Sequence, residues 1–179
     1  EAGIDQAILS YPTSDAHLKL GINEVAQIFN DNIAVILKRF PKRFIGAAIL
    51  PINDPQAMLD ELKRATQDLG FKALCLATSY EGIYLDDAQF LPLYELVEKN
   101  NLPVFVHSQI IAPIGVERVK DSLLTPVIEY IFDTAICVGK LLMAGILKDT
   151  KVKFIFGYFG GAMPFLENRF DATYQMLRG

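Results

Sequence analysis

Short runs of apolar residues alternate along this chain with longer stretches in which apolar positions recur every three or four residues. The short runs occupy residues 4–9, 44–50, 73–77, 104–107 and 152–156. Each is continuously apolar rather than alternating, which predicts strands buried on both faces, as in a parallel sheet. The stretches between them carry helix signals. Asp54-Pro55 sets an N-cap before a proline in the first turn, Met58, Leu62, Ala65 and Leu69 follow at helical spacing, and Gly70 supplies the stop. The same reasoning predicts helices from about Gly21 to Phe40, from about Asp87 to Lys99, from a Thr125-Pro126 cap to about Ala144, and from about Ala162 onward.

Strand, helix and strand in repeated succession with short turns predict an α/β fold built from right-handed crossover units. Two architectures satisfy that rhythm: an open doubly wound sheet, or an arc of a closed barrel. No linker, repeat or charge block divides residues 1–179, so a single domain is expected. The run at residues 4–9 reads as a strand already under way, as if a segment preceded it. One connection is unusual: residues 108–122 follow a strand end directly and contain Ile110, Ile111, Pro113, Ile114 and Gly115, more apolar than a solvated loop.

Composition narrows the function. A net charge of −4, with acidic and basic residues dispersed, offers nucleic acid no basic surface. No apolar run approaches the roughly 20 residues needed to cross a bilayer, and no basic leader precedes one, so neither a membrane nor a targeting segment is expected. Cys75 and Cys137 each sit in an apolar run, where a thiol behaves as a small buried hydrophobe. A reducing cytoplasm fits them better than a disulfide framework.

Candidate chemistry gathers at strand ends. His107 closes the run Leu102-Pro103-Val104-Phe105-Val106, at the C-terminal end where α/β folds bind ligands; there an imidazole can ligate a divalent metal or relay a proton. The alternative is a buried histidine satisfied by a backbone carbonyl. His17, in a polar stretch before a helix, reads as a solvent-facing or capping residue. Tyr158-Phe159-Gly160-Gly161 follows the last strand. Its glycines permit positive φ and close approach to a ligand, or serve only the tight turn. Asp86-Asp87 precedes a helix and reads as capping. Arg169 and Asp171 suit an ion pair or, through Arg169, a substrate carboxylate. Neither a Ser/His/Asp set nor a phosphate-loop fingerprint is present.

Taken in order, these fragments resemble the amidohydrolase-related family of metal-dependent (β/α)₈ barrel hydrolases and decarboxylases. The resemblance runs through Phe40-Pro41-Lys42-Arg43-Phe44, Leu50-Pro51-Ile52-Asn53-Asp54-Pro55, Leu85-Asp86-Asp87, Leu102 to His107, and Gly160-Gly161-Ala162-Met163-Pro164 with Arg169 and Asp171. It implies a partial barrel, about strands 2 to 6 with their helices. It also implies one divalent metal, zinc or manganese, with His107 as the fifth-strand ligand, and a small unsaturated or aromatic carboxylic acid as substrate. His107 and Tyr158 would be the catalytic groups; Gly160, Gly161 and Arg169 would bind the substrate. The chain departs from the family pattern in having no His-x-His pair, and Tyr158 stands where the family has a sixth-strand histidine. A complete barrel takes about 250 residues. Five strands leave edges that another chain would cover, so a homo-oligomer is expected. A catalytically silent binding or assembly module is the alternative implied by the missing ligands.

Overall fold

The computed structural model describes residues 3–11 and 22–178. His17 lies outside them. Five strands form one parallel sheet: β1 (Ala7–Leu9), β2 (Phe44–Ala48), β3 (Ala73–Ala77), and, after a small antiparallel hairpin of β4 (Ser79–Tyr80) and β5 (Ile83–Tyr84), β6 (Pro103–His107) and β7 (Lys153–Phe156). The order β1-β2-β3-β6-β7 follows the chain without reversal. A doubly wound sheet reverses its strand order at a switch point; this one never does, so the fold is an arc of a (β/α)₈ barrel.

Helices α1 (Ile22–Arg39), α2 (Pro55–Gln67), α3 (Leu91–Lys99), α4 (Val116–Val119), α5 (Tyr130–Met143), α6 (Ile146–Asp149) and α7 (Met163–Arg178) lie between and after the strands. α2 begins as the sequence predicts: Asp54 accepts from the backbone N–H of Gln56 and Ala57, both at 3.0 Å, and Gly70 beyond its end has φ 79°. Other boundaries shift. The first strand is only Ala7–Leu9, a single turn at Ala88–Phe90 precedes α3, and the loop at 108–122 contains the one-turn helix α4. Thr125 is not a side-chain cap; residues Thr125–Glu129 form a π-helical turn leading into α5, entered through Asp121, whose side chain accepts from the Leu123 N–H at 2.9 Å.

The main core lies between the helices and the outer face of the sheet, where Leu74, Leu76, Val104 and Val106 meet Met58, Leu62, Leu93, Val97, Cys137 and Leu141. On the inner face Ala47, Ile49, Ala73 and Cys75 pack with Ala26 of α1, supported by Tyr11, Phe29 and Phe105. A separate polar clamp joins α1 to α2. Asn30 donates to Glu61 (2.7 Å) and to the Ile49 carbonyl (2.9 Å), and Arg64 forks onto Glu61 at 2.8 and 2.9 Å. This hydrogen bonding, offset in part by burial and aided by Asp31, raises the Arg64 pKa.

Burial on both faces holds for β3, every residue of which is buried, and fails for β1, none of whose residues is buried, and for β6 and β7. Successive side chains of a strand point to opposite faces, and in β6 and β7 only the helix-packed face is covered. Phe105 is paired with Ile155, which is 44% exposed, and Ala77 is paired with His107. The inner face of the arc is therefore open beside His107.

Candidate active site at the strand ends

His107 is the last residue of β6, and its backbone is fixed to the neighbouring strand by the Thr78 N–H, which donates to the His107 carbonyl at 2.8 Å. Its Nδ1 lies 2.8 Å from the Ser108 carbonyl oxygen. A carbonyl only accepts, so Nδ1 carries the proton in this contact, and Nε2 makes no hydrogen bond to a described residue. The ring is half-buried on the open inner face. The backbone-carbonyl reading of His107 thus accounts for one ring nitrogen and leaves the other without a hydrogen-bond partner among the described residues.

The turn after β7 begins level with His107, because the Gly157 N–H donates to the Val106 carbonyl at 3.1 Å. Four successive residues then have positive φ: Tyr158 at 50°, Phe159 at 56°, Gly160 at 77° and Gly161 at 71°. Glycine adopts this region freely, whereas for an L side chain it costs roughly 1–2 kcal/mol. Gly161 explains why the turn is held: a Cβ there would lie 2.2 Å from the Ile131 carbonyl oxygen and 2.7 Å from the Ala135 nitrogen, so the bare backbone docks directly on α5. Gly160 serves the turn. Tyr158 leans its ring toward Tyr130, with centroids 6.4 Å apart, and Phe159 is 96% exposed.

Behind the strand ends, on the helix side, lies a buried polar network that the sequence reading missed. Asp133 of α5, 1% exposed, accepts from the Thr78 hydroxyl, from the Tyr84 hydroxyl at 2.8 Å and from the Ile114 N–H at 3.3 Å. Thr78 in turn accepts from the Gln109 N–H at 2.9 Å. Burial, reinforced by the charge and hydrogen bond of Asp133, raises the Tyr84 pKa and keeps its phenol a donor. Ser108 bonds to the Tyr130 carbonyl at 3.0 Å and to the Thr134 hydroxyl at 2.6 Å. His107 is thereby positioned through Ser108 by the first turn of α5. Partners 55 and 26 residues apart leave no local pattern by which to find them.

Other candidates fall elsewhere. Asp87 caps the turn before α3, whereas Asp86 pairs with Lys140 at 2.9 Å. Arg169 is exposed, has no ion pair with Asp171 among the described residues, and lines with Met143, Leu166, Phe170 and Thr173 a groove of about 250 Å³. That groove and an adjoining apolar one of about 530 Å³ are formed chiefly by α5 and α7 and include neither His107 nor the 157–161 turn. The structure therefore unites His107, Tyr158, Gly160 and Gly161 and sets Arg169 apart. Among the described residues no three His, Cys, Asp or Glu side chains are grouped to hold a metal ion, so His107 has no second or third candidate ligand beside it in this set.

An arc of parallel strands with a histidine at one strand end and a glycine turn at the next defines the class, and sequence comparison gives the family. The chain belongs to the amidohydrolase family, whose profile matches residues 7–173. It is 28% identical over 149 residues to the 2-amino-3-carboxymuconate-6-semialdehyde decarboxylase of Dictyostelium discoideum, an alignment covering 83% of this chain and 41% of that protein. Over 158 residues it is 33% identical to the gamma-resorcylate decarboxylase of Rhizobium radiobacter, covering 83% of this chain and 48% of the relative. The crystal structure of a dihydroxybenzoic acid decarboxylase from Polaromonas sp. JS666, with bound manganese and the inhibitor 2-nitroresorcinol, superposes with a TM-score of 0.81 at 27% identity, covering 93% of this chain and 54% of that one. The chain spans about half the length of the curated relatives it matches.

Proposed function

We propose that the protein is a metal-dependent non-oxidative decarboxylase of a small aromatic or unsaturated carboxylic acid, and that the strand-end face described above is its active-site face. The observation that carries this reading is His107, held by Ser108 with Nε2 free, one strand away from the Tyr158 to Gly161 turn. Zinc or manganese, when bound, would polarise the acid and stabilise charge as carbon dioxide leaves. Among the described residues His107 is the one fitted to touch it, so no further step is assigned through the metal. The chain's own groups bind and orient. Tyr158 offers a hydroxyl beside the substrate, Gly160 and Gly161 hold the turn that carries it, and Nε2 of His107 can hold a proton. Arg169, exposed between α5 and α7, would meet a substrate carboxylate only away from this face. Hydrolysis is the related activity of the same family. Buried, unpaired Cys75 and Cys137 fit a reducing compartment such as the cytoplasm, and no helix among the described residues is long and apolar enough to cross a membrane.

A second reading is favoured by the incomplete ligand set: a catalytically silent member that acts as a binding or assembly module, its open sheet edge covered by a second copy. The two are separated by elemental analysis of the purified chain alongside His107→Ala, with carbon dioxide release from gamma-resorcylate assayed in parallel. Stoichiometric zinc or manganese that His107→Ala loses, with carbon dioxide released by the parent, supports the decarboxylase. No metal and no release in either supports the silent module.

A further inference from the structure

The turn between β7 and α7 is pinned at both ends and presents aromatic surface in between. Gly157 is tied to β6 through the Val106 carbonyl, Gly161 is pressed on Ile131 and Ala135 of α5, and the Gly160 and Gly161 N–H groups close the turn on the Gly157 and Tyr158 carbonyls at 3.0 and 2.8 Å. A phenylalanine between those pins contributes nothing to the fold. Phe159 is 96% exposed, so it buries no core surface, and its φ of 56° is one that a bulky side chain avoids. Tyr158 is itself 41% exposed and is backed by the tilted ring of Tyr130, whose hydroxyl reaches the Ile110 carbonyl at 3.4 Å in the apolar loop that follows His107. Backbone held in a costly conformation to display a ring is characteristic of ligand-contacting segments.

We propose that Phe159, with Tyr158 beside it, is a stacking platform for the planar, conjugated part of the acid, and so makes the site select planar acids over saturated ones of the same size. This rests on the reading that the strand-end face takes a small carboxylic acid, and adds to it the residues that choose among such acids. An open phenyl face receives a flat π-system by offset or edge contact, which a puckered ring cannot match. The bonds that hold the turn are backbone bonds, so removing the Phe159 ring leaves them intact.

The test compares binding of gamma-resorcylate and of cyclohexanecarboxylate to the full chain by titration calorimetry in manganese-containing buffer, for the parent, Phe159→Ala and Phe159→Tyr. The expected result is tighter binding of the planar acid, a loss of about three- to ten-fold for that acid alone in Phe159→Ala, retention in Phe159→Tyr, and an unchanged melting temperature in both. Equal affinity of the parent for the two acids, or a Phe159→Ala effect that is absent or the same for both, overturns the platform while leaving the carboxylic-acid site standing. Failure of the parent to bind either acid overturns the site and the platform together.

Discussion

The two sides of the strand ends are built on opposite plans. On the helix side Asp133, Thr78, Tyr84, Ser108, Gln109 and Thr134 are buried or half-buried and bonded to one another across three elements. On the inner side His107 and Ile155 are partly open, Tyr158 and Phe159 are exposed in the turn at the next strand end, and His107 keeps one nitrogen unused. A buried polar group without a partner is costly, so the covered side has to be saturated. The open side need not be, and unused bonding capacity there is what a ligand can meet. The contrast assigns stability to one side and leaves the other free for the proposed chemistry, and substitutions can test it.

The largest effect belongs to the covered side. Asp133→Ala strands the buried Thr78 hydroxyl, takes the acceptor from the half-buried Tyr84 hydroxyl and leaves a cavity in α5, and should lower unfolding free energy by about 2–4 kcal/mol in a urea titration. Asp133→Asn, which keeps an acceptor, should cost less. If Asp133→Ala melts like the parent, the network is not what holds β3 and the loop after β6 to α5. Gly161→Ala comes next. Its Cβ would overlap the Ile131 carbonyl and the residue would need φ 71°, so a loss of about 3 kcal/mol is expected from overpacking and backbone strain together. The same change at Gly160, whose nearest neighbour would be the Met163 Cβ at 3.9 Å, should cost less, because only the positive φ opposes it.

These two sites also show what was legible in the sequence. The five strands and the main helices could be read because local periodicity, Asp54-Pro55 and Gly70 act over a few residues. The strand-end position of His107 followed from the same rhythm. A barrel arc rather than a doubly wound sheet was not contained in that rhythm; it needed the pairing order, and the family resemblance pointed the same way. Full burial of β6 and β7 was misjudged for a related reason: apolar residues such as Phe105 and Ile155 mark a strand but not whether its inner face is covered. Asp133 was invisible, since a lone acid in an apolar helix has no meaning until Thr78 and Tyr84 are brought to it. The hairpin β4–β5 escaped because two-residue strands carry no period.

A third prediction concerns pH. Burial lifts the Cys75 thiol from 9 to about 11, opposed by a hydrogen bond with Ser10. The proton-bearing form is thus favoured in the folded chain. Below pH 9 the thiol is protonated folded or unfolded and stability is unaffected; between pH 9 and about 11 the unfolded chain releases its proton and the folded one does not. Stability should fall as pH rises through that window, by about 2–3 kcal/mol at its upper end. Cys75→Ala should remove that share of the fall and leave the share of Cys137, whose thiol burial also raises. Thiol reagents at pH 8 should label Cys75 only after denaturation, as expected of a thiol packed on the inner face by Ala47, Ala73 and Phe105 rather than facing the open region near Ile155.

The smallest effect is expected where the chemistry is placed. His107→Ala removes one hydrogen bond, from Nδ1 to the Ser108 carbonyl, and opens beside that carbonyl the half-buried space the ring fills. Ser108 keeps its bonds to Tyr130 and Thr134, and the Thr78 N–H still reaches the backbone carbonyl at position 107. Unfolding free energy should therefore change by about 1 kcal/mol or less, while metal and acid binding measured on the same preparation disappear. A histidine whose loss instead unfolds the chain would be a structural residue that happens to end a strand, and the division between the two sides would fail at the one residue on which the functional reading rests.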